Sequence, residues 1–396
     1  MVMIIRSTYL EQLKKWKDKK LIKVVTGIRR CGKSTLFQLY IDYLKESGVP
    51  EDHIIFLNLE SLDYHFHDYQ ELYDFINAKI IDNKKYYIFL DEVQNIPLFE
   101  KVVDALYIKE NVDEYITWSN AYLLSWELAT LLSWRYVEIM MYPLSFKEYA
   151  DFYQVPGDEK LYLQYIQTSS FPYTLFLSSQ EEIEHYLEGI YNTILVKDIA
   201  QRNALWDLGK LRSIVEFMFS SIGNLLSIKK IADTLTSNGR KISIHTVENY
   251  LEFLTQSFIF TKVPRYDIKG KQYLQTGDKY YATDIGMRYA VLGRKNLDLW
   301  SVLENIVFLE LKRRWYKVFV GKLADKEVDF IAENMHETLY IQVSYTVRDE
   351  NTLKRELLPL QSLNNHYPKI LLTMDLDPQT DYDGIQKINV LDWLMK

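Results

Sequence analysis

Apolar positions along the chain fall into two alternating patterns. Runs that are apolar at nearly every position occur at Leu21–Thr26, His53–Asn58, Tyr86–Leu90, Tyr115–Thr117 and Tyr136–Met140. Between them, as in Leu36–Leu44, apolar residues recur at three- and four-residue intervals. Short continuous runs suit strands buried on both faces, and the longer period suits the helices that cover them. Residues 1–155 are therefore expected to form a parallel α/β sheet domain, entered through a charged helix at Tyr9–Lys20 and closing near Pro143–Phe146.

Residues 150–226 keep the helical period. Two short helices then follow, Ile228–Leu235 and Ser243–Ser257. Strands Ile259–Tyr266 and Lys279–Thr283 flank a polar turn holding Gly270 and Gly277. This is the outline of a winged helix-turn-helix within a helical region spanning 156–290. The remainder, 291–396, reads as helix Leu303–Arg314, strands Lys317–Val320, Glu327–Ala332 and Leu339–Ser344, helix Asn351–Leu363 and strand Lys369–Thr373. The expectation is three domains: a parallel-sheet domain, a helical linker with a winged helix, and a C-terminal α/β domain.

The turn after the first strand carries chemistry. Residues 27–35 read Gly-Ile-Arg-Arg-Cys-Gly-Lys-Ser-Thr, a full GxxxxGK[ST] loop between a strand and a helix. Gly27 and Gly32 let backbone N–H groups approach phosphate oxygens, with Arg30, Cys31 and Thr35 completing the cradle. Lys33 can reach the β- and γ-phosphates, Ser34 can ligate Mg²⁺, and the helix N-terminus favours an anion. Asp91, ending the third strand, has the position of a second Mg²⁺ ligand, and Glu92 beside it suits a general base. The polar run after the fourth strand places Ser119 or Asn120 where a γ-phosphate sensor belongs. Arg135 opens the fifth strand; it reads equally as a neutraliser of transition-state charge or as a surface ion pair.

Composition narrows the partners. The net charge is −7, so nucleic-acid binding needs a local patch. Between 227 and 281, nine basic residues (Lys229, Lys230, Arg240, Lys241, Lys262, Arg265, Lys269, Lys271, Lys279) face five acidic ones (Asp233, Glu248, Glu252, Asp267, Asp278), a net +4. That patch makes DNA a candidate partner of the winged helix, although such modules also serve in packing and dimerisation. The single cysteine, Cys31, excludes a disulfide framework and fits a cytoplasmic setting. No run approaches the ~18 apolar residues of a membrane span, so no membrane partner is expected.

With these residues in view, the chain resembles the bacterial and archaeal AAA-family P-loop ATPases that carry a C-terminal restriction-endonuclease-like domain of unknown function. The matching segments are Thr26–Thr35, Phe89–Asn95, Thr117–Ala121, Pro143–Tyr149, Lys279–Gly286, Leu303–Leu311 and Val328–Tyr345. The resemblance implies ATP as ligand, Mg²⁺ as cofactor, hydrolysis as activity and a homo-oligomer as a candidate state. It also implies a nuclease-type acid set in the last domain, where Glu304 and Asp329 fall on acidic positions. Gln342 replaces the second carboxylate, and Ser344 stands where lysine belongs. Without that positive charge, the domain reads as a degenerate nuclease fold used for binding or assembly. Two functions are carried forward: a Mg-ATP-dependent ATPase acting with the winged-helix and nuclease-like module on DNA, and a nucleotide-gated protein-interaction switch.

Tryptophan usage departs from the family. Glycine is expected at Trp118, Trp126, Trp134, Trp300 and Trp315, and the chain has 14 glycines where average usage gives about 28. A source that reads UGA as glycine, translated with UGA as tryptophan, accounts for both; genuine substitution with aromatic packing is the alternative. An indole forced to positive φ at Trp118 would strain the sensor loop.

Overall fold

The computed structural model describes residues 4–119, 132, 135–201, 207–274, 277–293, 298–378 and 380–396. Contacts divide the chain into two units, Met1–Pro143 and Leu144–Lys396. No helix among the described residues is long and apolar enough to cross a membrane.

In the first unit, α1 (Ser7–Trp16) leads into β1 (Ile22–Thr26), α2 (Lys33–Glu46), β2 (Ile54–Asn58), α3 (Tyr69–Lys79), β3 (Tyr86–Asp91), α4 (Phe99–Ile108), β4 (Val112–Trp118) and β5 (Tyr136–Met140). The sheet order is β2-β3-β4-β1-β5 and every pairing is parallel. β4 is thus inserted between β1 and β3, the strands that end in the phosphate loop and in Asp91. Side chains of Val24, Ile88 and Leu90 pack with Leu72, Ile76, Val103 and Leu106 in a dry core, which commits each strand to its register. Asp68 starts α3 by accepting from the N–H groups of Gln70 and Glu71.

β4 is longer than its apolar run. Asp113 and Glu114 interrupt the sequence pattern, yet both are buried in the strand. Asp113 is accommodated by an ion pair with buried Lys23 and a 2.8 Å hydrogen bond donated by the Tyr115 hydroxyl. At the other end, Trp118 continues the strand opposite Thr26, and its indole packs edge-on against Phe99 with centroids 4.9 Å apart. The expected turn with positive φ at Trp118 does not occur, because the extended register lets the ring fill the core.

The second unit begins with helices Phe146–Tyr153, Glu159–Thr168, Gln180–Thr193 and Leu208–Ser220. Ser145 with Glu148, and Ser179 with Glu182, form reciprocal caps that start two of them. Helices Ile228–Ser237 and Ile244–Gln256 follow. The expected strand Ile259–Tyr266 is broken at Pro264, which has no N–H to donate. β6 (Phe260–Val263) pairs antiparallel with β9 (Lys279–Ala282), whereas β7 (Arg265–Asp267) and β8 (Gln272–Tyr273) leave that hairpin.

β7 instead pairs with β10 (Lys317–Leu323), so 156–290 and 291–396 share one sheet. That sheet continues through β11 (Lys326–Glu333), β12 (Thr338–Ser344) and β13 (Lys369–Thr373). It ends in β15 (Ile385–Asn389) and β14 (Thr380–Tyr382), which the sequence pattern did not announce. Helices Leu299–Arg313 and Glu350–Gln361 pack on it.

Candidate functional site

At the C-terminal edge of the parallel sheet, β1 ends at Thr26 and the chain turns through Gly27 at φ 145°. A Cβ at Gly27 would run into the Met141 carbonyl, so no other residue fits. Gly32, at φ 105°, caps α2, which starts at Lys33. Arg30 is also left-handed, at φ 69°, and exposed. Cys31 is fully buried, and burial pushes its thiol up. The loop is braced from below by Arg6, whose guanidinium donates to the carbonyls of Cys31 (3.0 Å) and Tyr142 (2.7 Å).

Lys33 is 3% exposed and donates to the Gly27 carbonyl at 3.1 Å. Its ammonium lies 3.5 Å from Glu92 Oε1. Asp91 and Glu92 are joined through Thr117: its hydroxyl donates to Asp91 Oδ1 (2.6 Å) and accepts from the Glu92 N–H (2.8 Å). Thr117 thus fixes both acids from the neighbouring strand.

The two acids are tuned in opposite directions. Burial raises the Asp91 carboxyl, against hydrogen bonds from Ser34 and Thr117. Burial also acts to raise Glu92, but the Lys33 ammonium, then Gln94 and Ser119, hold it below the usual range. Glu92 is therefore ionised at neutral pH. The Gln94 amide donates to Glu92 Oε2 and to Ser119 Oγ (3.1 Å). Glu92 itself sits at φ 57°, a strained conformation of the kind found at functional sites.

Asp91 Oδ2 is buried without a hydrogen-bond partner among the described residues, and Ser34 is hydrogen-bonded to the same carboxylate. A hard divalent cation suits this oxygen pair, so Ser34 and Asp91 fit Mg²⁺. Thr35 is exposed beside Ser34. Asn120 lies outside the described residues, as do Trp126 and Trp134.

Arg135 is not brought to this edge. Its carbonyl accepts from the Ile22 N–H (2.8 Å) at the start of β1, and its guanidinium sits over the Tyr107 ring, 5.1 Å from the centroid. The length of β1, about 16 Å for five extended residues, separates it from the phosphate loop of its own chain. The sequence placed Arg135 by its position before a strand, and a parallel strand starts at the edge opposite to where it ends.

Sequence reasoning also missed Arg6, Thr117 as the bridge, and Gln94. Only Gln94, two residues beyond Glu92, had a local signal. In the second unit, two of the nine basic residues are neutralised by neighbours. Lys262 pairs with Asp278 at 2.9 Å, and Lys279 is buried between Glu304 (2.9 Å) and Glu327 (2.7 Å). Lys229, Lys230, Arg240, Lys241, Lys269 and Lys271 remain exposed.

Residues 19–150 match the family model of an AAA domain, and residues 159–298 match a domain of unknown function, DUF8612. An uncharacterized protein of Haemophilus influenzae is 43% identical over 400 residues, covering 100% of this chain and 99% of its own. An uncharacterized protein of Methanocaldococcus jannaschii is 28% identical, covering 94% of this chain and 85% of its own. The solved Walker-type ATPase PABY2304 of Pyrococcus abyssi superposes with a TM-score of 0.52 at 15% identity, covering 73% of this chain and 95% of that one, a likeness of fold.

Proposed function

This chain belongs to one family with its full-length Haemophilus influenzae relative, and from the AAA domain it carries we propose that it binds and hydrolyses Mg-ATP. One observation supports this most: Lys33, Glu92, Thr117 and Asp91 converge at the mouth of a complete phosphate loop.

Loop amides and the N-terminus of α2 receive the β- and γ-phosphates. Lys33 exchanges its hold on the Gly27 carbonyl for phosphate oxygens, which also loosens its pairing with Glu92. Glu92, ionised and steered by Gln94 and Ser119, accepts a proton from the attacking water. Ser34 and Asp91 would hold Mg²⁺, which would supply neutralisation of phosphate charge. Arg135, remote from its own loop and exposed, serves this reaction only from a second copy, so a homo-oligomer is part of the reading.

The second unit couples to nucleotide state through its two helices and hairpin, with DNA as the candidate partner of exposed Lys229, Lys241, Lys269 and Lys271. Its nuclease-like part acts in binding, since Ser344 donates to the Thr346 carbonyl and supplies no positive charge. ATP turnover of wild type and Glu92→Gln, with and without DNA at two salt concentrations, tests both halves. Turnover untouched by Glu92→Gln overturns the hydrolytic half, and absence of stimulation and of salt-dependent binding overturns the DNA half. The neutralisation of Lys262 and Lys279 favours a second reading, a nucleotide-gated protein-interaction switch. It requires ATP-dependent oligomerisation without nucleic acid, and equal mass with ATP, ADP or neither counts against it.

A further inference from the structure

The phosphate loop carries a further cation that the proposed reaction leaves unused. Of its two arginines, Arg30 is exposed, whereas the Arg29 side chain is only 13% exposed and donates to Glu60 Oε1 at 3.1 Å. The same nitrogen lies 3.5 Å from Glu60 Oε2. Glu60 follows β2 and is set by a tight turn at the edge of the sheet that carries the phosphate loop. Just past the register pair Asn58–Asp91, the Leu59 N–H donates to the Asp91 carbonyl (3.0 Å). The Glu60 N–H then donates to Asn58 Oδ1 (2.9 Å), and the Ser61 N–H to the Asn58 carbonyl (3.1 Å). Glu60 is thus anchored to the strand end that holds Asp91, and it meets Arg29 from there.

Charges of alternating sign gather at this edge: Glu60, Arg29, Glu92 and Lys33. Burial acts to raise the Glu92 carboxyl; Lys33, Gln94 and Ser119 hold it below the usual range, and the charge of Arg29 adds to them. Glu92 is the group that receives a proton from the water attacking the γ-phosphate. A cation within its field therefore lies on the γ-phosphate side of the site. The β-phosphate is met by the loop amides and Lys33, so a diphosphate makes no demand on Arg29. A triphosphate adds an anion on the Arg29 side. The Glu60 side chain is 43% exposed, so water screens its pairing with Arg29 and a change of partner costs little. Phosphate offers the guanidinium the same forked acceptor geometry as a carboxylate, with more charge.

We propose that Arg29 binds the γ-phosphate and that Glu60 is its positioning partner: Glu60 holds the guanidinium until a γ-phosphate takes it over. The exchange lets the loop tell a triphosphate from a diphosphate, and it releases the turn at Glu60 only when a triphosphate is bound. This rests on the reading of the loop as an ATP site and is independent of any DNA partner.

The test is fluorescence titration of the full chain, with Mg²⁺ present, using labelled ADP and the labelled β,γ-imido analogue of ATP, which is not turned over. Arg29→Gln is expected to weaken the triphosphate about tenfold or more while changing ADP less than about twofold. Arg29→Lys keeps the charge but loses the fork, and should fall between wild type and Arg29→Gln. Glu60→Gln keeps the side chain's shape and its backbone bond to Asn58 while removing the competing charge. It should tighten the triphosphate about two- to fivefold and leave ADP unchanged. In an Arg29→Gln background that gain should vanish. Equal changes for the two nucleotides in Arg29→Gln overturn the assignment. A Glu60→Gln gain that survives without Arg29 also overturns it, since it reports only the general repulsion of an anion. If Arg29→Gln does not fold, Glu60→Gln alone decides, and an equal gain for both nucleotides overturns the assignment. A folded wild type that binds neither nucleotide overturns the ATP reading itself, and the role of Arg29 falls with it.

Discussion

Lys33 and Lys279 are equally buried, each 3% exposed, and each stands among acids at the end of a strand or loop. Their surroundings differ in what is left unfinished. Lys33 has backbone carbonyls as its close partners, a carboxylate only at 3.5 Å, and an orphaned Asp91 oxygen nearby. Lys279 has two carboxylates within 3 Å and, beside them, Asp329, whose carboxyl burial and then Glu304 push well above the usual range. A buried ammonium whose counter-charge is incomplete can be recruited by an anion, whereas one already matched serves as an internal counter-ion. The loop lysine is poised for a ligand, and the strand lysine is already matched by its neighbours.

The largest expected effect breaks that contrast on stability. Lys279→Met leaves buried carboxylates without their cation and should cost about 3–5 kcal/mol in urea unfolding without metal. Lys33→Met removes an incompletely matched charge and should cost no more than about 1 kcal/mol. Equal losses at the two positions would mean that both lysines are structural.

Activity gives the next largest effect. Glu92→Gln should lower ATP turnover about 100-fold or more, while nucleotide affinity, measured by fluorescence titration, is kept. Gln94→Ala should lower kcat about tenfold. It also removes a hydrogen bond that holds Glu92 ionised, so the acidic limb of the pH–kcat profile should move upward. A lower kcat with an unmoved limb would assign Gln94 to packing alone.

The contrast also explains what the sequence disclosed. The phosphate loop, Asp91 and Glu92 were legible because loop, strand end and helix start are contiguous. The parallel sheet was legible because full burial writes continuous apolar runs. Asp113 and Glu114 hid the length of β4, since Asp113 is accommodated only by Lys23 on the neighbouring β1 and by Tyr115 two residues on. The joining of β7 to β10 was hidden for the same reason, being a pairing 55 residues apart at Arg265 and Val320. Thr117 and Arg6 act through neighbours distant in the chain. Lys279 counted toward a basic patch because charge can be summed along a sequence, whereas its pairing with Glu304 and Glu327 exists only in the fold.

The smallest effect concerns the tryptophans, and here the two units differ again. Trp118 is extended and fills the core of the first unit, so its indole contributes packing that glycine would forfeit. Trp315, 38% exposed, closes helix Leu299–Arg313 at φ 65°. Its N–H donates to the Lys312 carbonyl (3.0 Å) and the Tyr316 N–H donates to the Leu311 carbonyl (3.1 Å), the paired bonds of a left-handed helix end that glycine ordinarily occupies. Comparing Trp315→Gly with Trp315→Ala cancels the loss of the indole and isolates the backbone. Left-handed strain in alanine outweighs the extra freedom glycine has when unfolded, so the glycine variant should be the more stable by about 1 kcal/mol. At Trp118 the same pair should rank in the opposite order, since extended backbone favours alanine. Backbone geometry at Trp315 thus supports a glycine reading of that codon, whereas the extended backbone at Trp118 gives no such support, although its indole N–H is buried without a hydrogen-bond partner among the described residues. Equal stability of the two Trp315 variants would remove the structural case for glycine there, and a UGG codon would remove the genetic one.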